Sequence, residues 1–256
     1  MSPDAHGRWF LGGGPPEPAR TVLYCLPNAG GGGTQYLSWR RLMPDTLWVQ
    51  PVQLPGRENR VLEDPRFEAE EVAEALAGHV DRPYVLYGHS MGGRLAWEVA
   101  VELIRREARL PERLYVAANP APRENSPWAG RWAALSEEEL FEEVVALGGV
   151  PPQVQEHPAL GRRVARILAA DVAWLAGRGS GGRDAPLPIP IVALAGEGDP
   201  LVRPAHMAGW ADCTSEEFQL HMIAGGHLFH AEKAEAVTSS ILQTVAATRG
   251  DLHGVR

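Results

Sequence analysis

Tyr84-Val-Leu-Tyr-Gly-His-Ser-Met-Gly-Gly93 is the stretch that decides how this chain is read. A short apolar run, Tyr84 to Tyr87, leads straight into Gly88-His-Ser-Met-Gly92, a match to G-x-S-x-G. Beyond it Leu95, Val99 and Leu103, with Ala96, Ala100 and Ile104 beside them, recur at helical spacing. Strand, sharp turn, helix is the context that makes the five-residue pattern a nucleophile elbow. Such a turn strains the serine backbone and leaves no room for neighbouring Cβ atoms, so glycine is expected at Gly88 and Gly92. Ser90 Oγ is then exposed at the carboxyl end of the strand, beside a helix N-terminus that favours negative charge.

Working outward, Val22 to Leu26 is continuously apolar and reads as a buried strand within Thr21 to Leu26. It ends in Pro27-Asn-Ala-Gly-Gly-Gly-Gly33, with a helix expected from near Thr34. No Lys-Ser/Thr follows this loop and no G-x-G-x-x-G with a downstream acid is present, so phosphate binding is disfavoured. The better reading is an oxyanion loop whose backbone N–H groups act with that of Met91. Leu47 to Val52 is a second strand, followed by the loop Leu54-Pro-Gly-Arg-Glu-Asn-Arg60. Glu68 to His79 is amphipathic, with Val72, Leu76 and Val80 on one stripe. Further strands are expected at Arg113 to Ala118, Ile189 to Ala195 and Glu217 to Ile223, and a closing helix over about Glu232 to Ala247. Alternating strands and helices predict an α/β fold with a mostly parallel, doubly wound sheet.

The rhythm breaks between residues 120 and 185, which show helical patterns and no convincing strand. Ser136 and Glu139 form a capping box ahead of the stripe Leu140, Val144 and Leu147. A longer stripe runs through Val164, Ile167, Leu168, Asp171, Val172 and Leu175. An all-helical insertion of this kind reads as a lid, with Gly177 to Arg183 as its return linker. The expected division is a flexible arm at 1–20, a core at 21–119 and 186–256, and the lid at 120–185.

A serine nucleophile needs a base, and the base needs a carboxylate. In hydrolases built around this elbow the chain order is Ser, then Asp or Glu, then His. Asp199 follows one late strand in Gly196-Glu-Gly-Asp199-Pro, and His227 follows the next in Ala224-Gly-Gly-His227. His230 is the nearest rival for the base; His221 sits inside a strand, and strand alternation turns His89 away from the serine. Glu197 and Asp171 rival Asp199, Asp171 reading as structural, and Asp199 could instead cap the segment after Pro200.

The chain's 256 residues suffice for one large α/β domain. A net charge of -8 argues against bulk binding to nucleic acid or anionic membrane, and no run approaches membrane-spanning length. Residues Met1 to Arg8 lack a signal peptide's basic and apolar regions, so a cytoplasmic location is expected. The two cysteines, Cys25 and Cys213, make no disulfide framework, and no His or Cys spacing suggests a metal site.

Six segments, in order, resemble the type II thioesterases that accompany polyketide and non-ribosomal peptide synthases. They are Leu26-Pro-Asn-Ala-Gly-Gly-Gly32, Gln53-Leu-Pro-Gly-Arg-Glu-Asn-Arg60, Gly88-His-Ser-Met-Gly92, Leu147-Gly-Gly-Val-Pro-Pro152, Gly198-Asp-Pro-Leu-Val202 and Gly225-Gly-His-Leu-Phe229. The resemblance implies an α/β-hydrolase fold with a helical lid, a triad of Ser90, His227 and Asp199, and oxyanion N–H groups at Ala29 and Met91. It implies removal of aberrant short acyl groups from the 4′-phosphopantetheine arm of acyl or peptidyl carrier domains, by a monomer that needs no cofactor of its own. Where many relatives have Ser-Gly-Arg-x-Ala-Pro, this chain reads Ala118-Asn-Pro-Ala-Pro122 and lacks the basic group. Ester and thioester hydrolysis need the same groups, so a chain-releasing fatty-acyl thioesterase and a general carboxylesterase remain alternatives, with an acyltransferase or cyclase using the same acyl-enzyme. A non-catalytic receptor on the same fold is the rival from another class.

Overall fold

A computed structural model describes residues 7–124, 127–178 and 185–250. Six strands form one parallel sheet in the order β2-β1-β3-β4-β5-β6. They are β1 (Thr21–Leu26), β2 (Leu47–Pro51), β3 (Tyr84–His89), β4 (Leu114–Ala117), β5 (Ile191–Gly196) and β6 (Phe218–Ile223). Strands β1 to β5 are buried along nearly their whole length, as their continuous apolar runs require when helices cover both faces.

Alternation along β1 sorts the core. Val22, Tyr24 and Leu26 face one layer, which also holds Val72 and Leu76 of α1 (Ala69–Ala77) and Leu95 and Val99 of α2 (Met91–Arg105). Leu23 and Cys25 face the other, with Tyr36, Trp39 and two residues of the closing helix, Val237 and Ile241. Both cysteines are free and buried. The helix expected from near Thr34 is a 3-10 helix, Gly33–Arg41; its N-cap is Gly32, which offers no side chain to fix an α-helical first turn.

The N-terminal segment is pinned to the core through Phe10. Phe10 pairs in an antiparallel bridge with Val52, is 2% exposed and stacks on His79. Residues 1–6 of the expected flexible arm lie outside the described residues.

Between β4 and β5 the described chain is helical: α3 (Pro127–Ala133), α4 (Glu137–Ala146), α5 (Pro152–Gln155) and α6 (Pro158–Gly177). The capping box is present, with Glu139 N–H donating to Ser136 Oγ and Ser136 N–H to Glu139 Oε2. Trp128, Trp132, Leu140, Val144, Leu168, Val172 and Leu175 join the same core layer as α1 and α2. Residues 179–184 of the expected return linker lie outside the described residues. Among the described residues, no helix is long and apolar enough to cross a membrane.

The strand order reverses between β1 and β3, which lie side by side with Leu26 opposite Gly88. At such a switch point the loops leaving the two strands part and leave a crevice at the carboxyl edge. The glycine loop and the serine turn are those two loops.

Candidate active site

Ser90 sits at φ 53° and ψ −121°, a left-handed conformation that costs a residue with a Cβ about 1–3 kcal/mol and persists only where surrounding structure enforces it. Two contacts enforce it: Ser90 N–H donates to Ala117 O of β4 at 2.7 Å, and Gly93 N–H donates to Ser90 O at 2.8 Å. The flanking glycines are required by space. A Cβ on Gly88 would lie 1.9 Å from Gly92 O, and one on Gly92 would lie 2.3 Å from Leu26 O. Closing those gaps brings α2 against the end of β1. Met91 becomes the first residue of α2, where a backbone N–H has no acceptor within the helix.

The candidate base and acid come from two later strand ends. His227 Nε2 is 2.9 Å from Ser90 Oγ, and His227 Nδ1 is 2.8 Å from Asp199 Oδ2. A carboxylate only accepts, so Nδ1 carries the proton and Nε2 is left as the acceptor for the serine hydroxyl. All three side chains are buried, at 3%, 8% and 7% exposure for Ser90, His227 and Asp199. Asp199 Oδ1 accepts from Leu201 N–H at 2.8 Å and Val202 N–H at 3.0 Å. The turn-capping role and the histidine-holding role are therefore filled by different oxygens of one carboxylate.

The rivals are placed elsewhere. Glu197 is exposed. His221 is half-buried on β6, bonded to Ser240 Oγ and Gln219 Oε1. His230 Nε2 meets Gln35 Oε1 at 2.8 Å, and burial, then the nearby His227, depress its pKa to about 3. Asp171 is fully buried and ion-paired with Arg57. His89 is turned away from Ser90 as strand alternation requires, and it has a task there: its Nε2–H donates to the His227 carbonyl at 2.7 Å, while Nδ1 accepts from Tyr87 O–H at 3.1 Å. Burial, followed by the neighbouring His230 and His227, holds His89 well below the usual histidine pKa and so neutral. No sequence signal points to this contact, because its partners are 138 positions apart.

A small cavity of about 30 Å³ adjoins the serine, lined among others by Ala29, Ser90, Trp128, Trp132, Leu168 and His227. An outer cavity of about 600 Å³ shares Asn28, Gly149 and Leu228 with it and runs between the glycine loop and α6. Residues 21–245 match the thioesterase domain family. The chain belongs to that family.

It is similar to the gramicidin S biosynthesis protein GrsT of Aneurinibacillus migulanus, with 30% identity over 87% of this chain and 88% of the relative. Among solved structures, RedJ, the thioesterase from the prodiginine biosynthetic pathway in Streptomyces coelicolor, superposes with a TM-score of 0.80 at 32% identity, over 90% of this chain and 92% of RedJ. The type II thioesterase BorB from the borrelidin biosynthetic cluster superposes with a TM-score of 0.77 at 33% identity, over 92% of this chain and 96% of BorB. The expected α/β-hydrolase architecture is that of these neighbours, and the protein is a hydrolase acting on thioesters.

The thioesterase's cavity walls include residues the sequence alone did not single out for the site. Trp128 and Trp132 stack edge to face at 5.1 Å, and the Trp128 ring centroid lies 6.2 Å from that of His227. The available signal was two tryptophans four positions apart in one short segment, which share a helical face. Leu168 was legible as part of an apolar stripe, but nothing local said that it lines the cavity beside the serine.

Proposed function

We propose that this thioesterase hydrolyses short acyl groups carried on the phosphopantetheine arm of acyl or peptidyl carrier domains, through an acyl-enzyme on Ser90. The observation that carries the reading is the pair of adjacent cavities, which share Asn28, Gly149 and Leu228. The inner cavity, of about 30 Å³, is small and mostly apolar, which suits a short acyl chain. The outer 600 Å³ lies within the range typical of small-molecule sites, about 300–1,000 Å³, and suits an extended, amide-bearing arm. Exposed Arg163 lines this outer cavity and suits a phosphate at its mouth.

Ser90 Oγ attacks the thioester carbonyl as His227 Nε2 takes its proton, and Asp199 holds the imidazole tautomer and its developing charge. The N–H groups of Ala29 and Met91 are assigned to the oxyanion. The thiol departs with the proton from His227. A thiol pKa of ~8.5 makes it a far better leaving group than an alcohol. Water, activated by His227, then releases the acid and frees Ser90. Helices α3 to α6 act as the lid over this chemistry, and the chain works as a cytoplasmic monomer without a cofactor of its own.

Carrier domains are expected to meet basic residues around the lid. Arg131, near the entry of the insertion, is paired with Glu143 at 3.1 Å; Arg162, Arg163 and Arg166 stand exposed along α6, Arg163 also donating to Val61 O at 2.7 Å. The test compares acetyl- and octanoyl-carrier protein with the matching acyl-pantetheines and a simple carboxylic ester. Higher kcat/KM for acetyl-carrier, with an advantage that shrinks as salt is added, supports the reading. Preference for octanoyl would favour a chain-releasing fatty-acyl thioesterase. Equal efficiency on the ester would favour a general carboxylesterase.

A further inference from the structure

A buried ion pair joins the helical insertion to the glycine loop. Arg57, in the loop after β2, is 3% exposed, and Asp171, in α6, is 0% exposed. Arg57 Nη2 donates to Asp171 Oδ1 and Arg57 Nη1 to Oδ2, each at 2.8 Å. A buried pair of this kind is weak evidence for stability, since the cost of desolvating both charges offsets their attraction. Its other bonds say what it is for. Asp171 Oδ2 also accepts the Gly30 N–H at 2.8 Å, and Arg57 Nη1 also donates to Gly31 O at 3.0 Å. The same loop is held from below by Gln53, which accepts from Gly33 N–H and donates to Arg57 O.

Gly30 is the neighbour of Ala29, whose N–H is assigned to the oxyanion. At φ +73° Gly30 occupies a conformation open to glycine, and a Cβ there would lie 2.5 Å from Leu168 Cδ2. Leu168 and Asp171 are three positions apart and share a face of α6. One turn of α6 therefore supplies a wall of the acyl cavity and the carboxylate that fixes the glycine loop.

We propose that Asp171, oriented by Arg57, is a positioning residue that sets the Ala29 N–H through its bond to Gly30, so that the oxyanion site is complete only while α6 is seated. The inference rests on the Ser90 acyl-enzyme reading above. Asp171 touches no reacting atom. It makes transition-state stabilisation depend on the position of the insertion, so an enzyme with its insertion raised would bind acyl groups and turn them over slowly.

The test removes the pair without leaving a buried charge alone. Arg57→Met with Asp171→Leu replaces both by apolar groups of similar volume, an exchange that buried pairs often tolerate. With acetyl-pantetheine, kcat should fall about 100-fold, the effect of losing one oxyanion donor, while KM moves less than about 3-fold. Arg57→Met with Asp171→Asn keeps an oxygen for the Gly30 N–H and should recover activity to within about 10-fold of wild type. A Leu variant as active as wild type would overturn the proposal, and so would Leu and Asn variants equally impaired, because a purely structural role would not distinguish them. Should neither variant fold, hydrogen exchange at the Gly30 amide of the unaltered enzyme decides. Strong protection supports the bond to Asp171, and exchange at the rate of an open loop contradicts it. Ser90→Ala is assayed alongside. If it turns over normally the acyl-enzyme reading fails, whereas an inert Ser90→Ala beside a fully active Leu variant sinks the positioning role alone.

Discussion

The carboxyl edge of the sheet and the helical insertion form opposite walls of one site, and they are specified in different ways. At the sheet edge each chemical group sits within a few residues of a strand end: Ser90 after β3, Asp199 after β5, His227 after β6. Backbone geometry places them, and glycines with no spare volume hold the turns, as at Gly88 and Gly92. In the insertion, Trp128, Trp132, Leu168 and Asp171 reach the site by packing of one helix on another. The Ser90, Asp199 and His227 side chains are thus placed locally, and the cavity walls by the long-range fit of helices. Substitutions on the two walls should fail in different ways.

The largest effects belong to the sheet edge. His227→Ala should lower kcat by about 10⁴–10⁶-fold, and Asp199→Asn by about 10⁴-fold, because the members act as a unit. Glu197→Gln, at an exposed position on the same loop, should stay near wild type. Full activity in Asp199→Asn, read by thiol release from an acyl-carrier protein, would break the local assignment.

Glycines sharpen the contrast in stability. Gly88→Ala drives a Cβ to 1.9 Å from backbone and should leave little folded protein at 37 °C, since neither chain segment can give way. At Gly130, inside α3, an added Cβ would meet nothing within 4 Å. Gly130→Ala should therefore raise stability by up to about 1 kcal/mol through helix propensity. Urea titration of both variants checks this, and a tolerated Gly88→Ala would remove the spatial argument for the elbow.

On the insertion wall, Trp132→Phe enlarges the cavity without touching the triad. Relative kcat/KM for butanoyl over acetyl thioesters should rise about 10-fold, the usual worth of one or two methylenes in an apolar pocket. An unchanged ratio with unchanged kcat would take Trp132 out of chain-length selection.

Acid sensitivity should belong to the sheet edge. His230, packed on His89 at 3.9 Å and close to His227, is held neutral down to about pH 3. Unfolding frees it to protonate near its ordinary value. Between pH 6.5 and about 3 the unfolded state binds the extra proton, so stability is full above 6.5 and falls by up to ~1.4 kcal/mol per pH unit below it. Urea midpoints at pH 7.5 and 5 should differ, and His230→Gln should reduce the difference, leaving the part due to His89, which is also buried and neutral.

This division explains what could be read in the sequence. The strands were legible because a strand covered on both faces must be apolar throughout, as Val22 to Leu26 and Ile191 to Ala195 are. Asp199 was legible because it follows such a run within four residues, and His227 because it follows the partly exposed β6 at the same distance. The Ser136–Glu139 box was legible because it is a local bond pattern. The helix from near Thr34 was legible, but not its 3-10 form, since four glycines ahead of it conceal how its first turn closes. Asp171 reads as structural from its place in an apolar stripe, but its partners Arg57 and Gly30 lie 114 and 141 positions away, beyond any periodicity. The tryptophan walls were hidden for the same reason.

The central claim, that Ser90 carries the acyl group of a carrier-bound thioester, is tested most directly by thiol release. An acetyl-carrier protein is mixed with wild type or Ser90→Ala, and free pantetheine thiol is measured over time. The account expects rapid release by wild type and, for Ser90→Ala, a loss of about 10⁶-fold with the fold intact by circular dichroism. Release by Ser90→Ala within tenfold of wild type would contradict it.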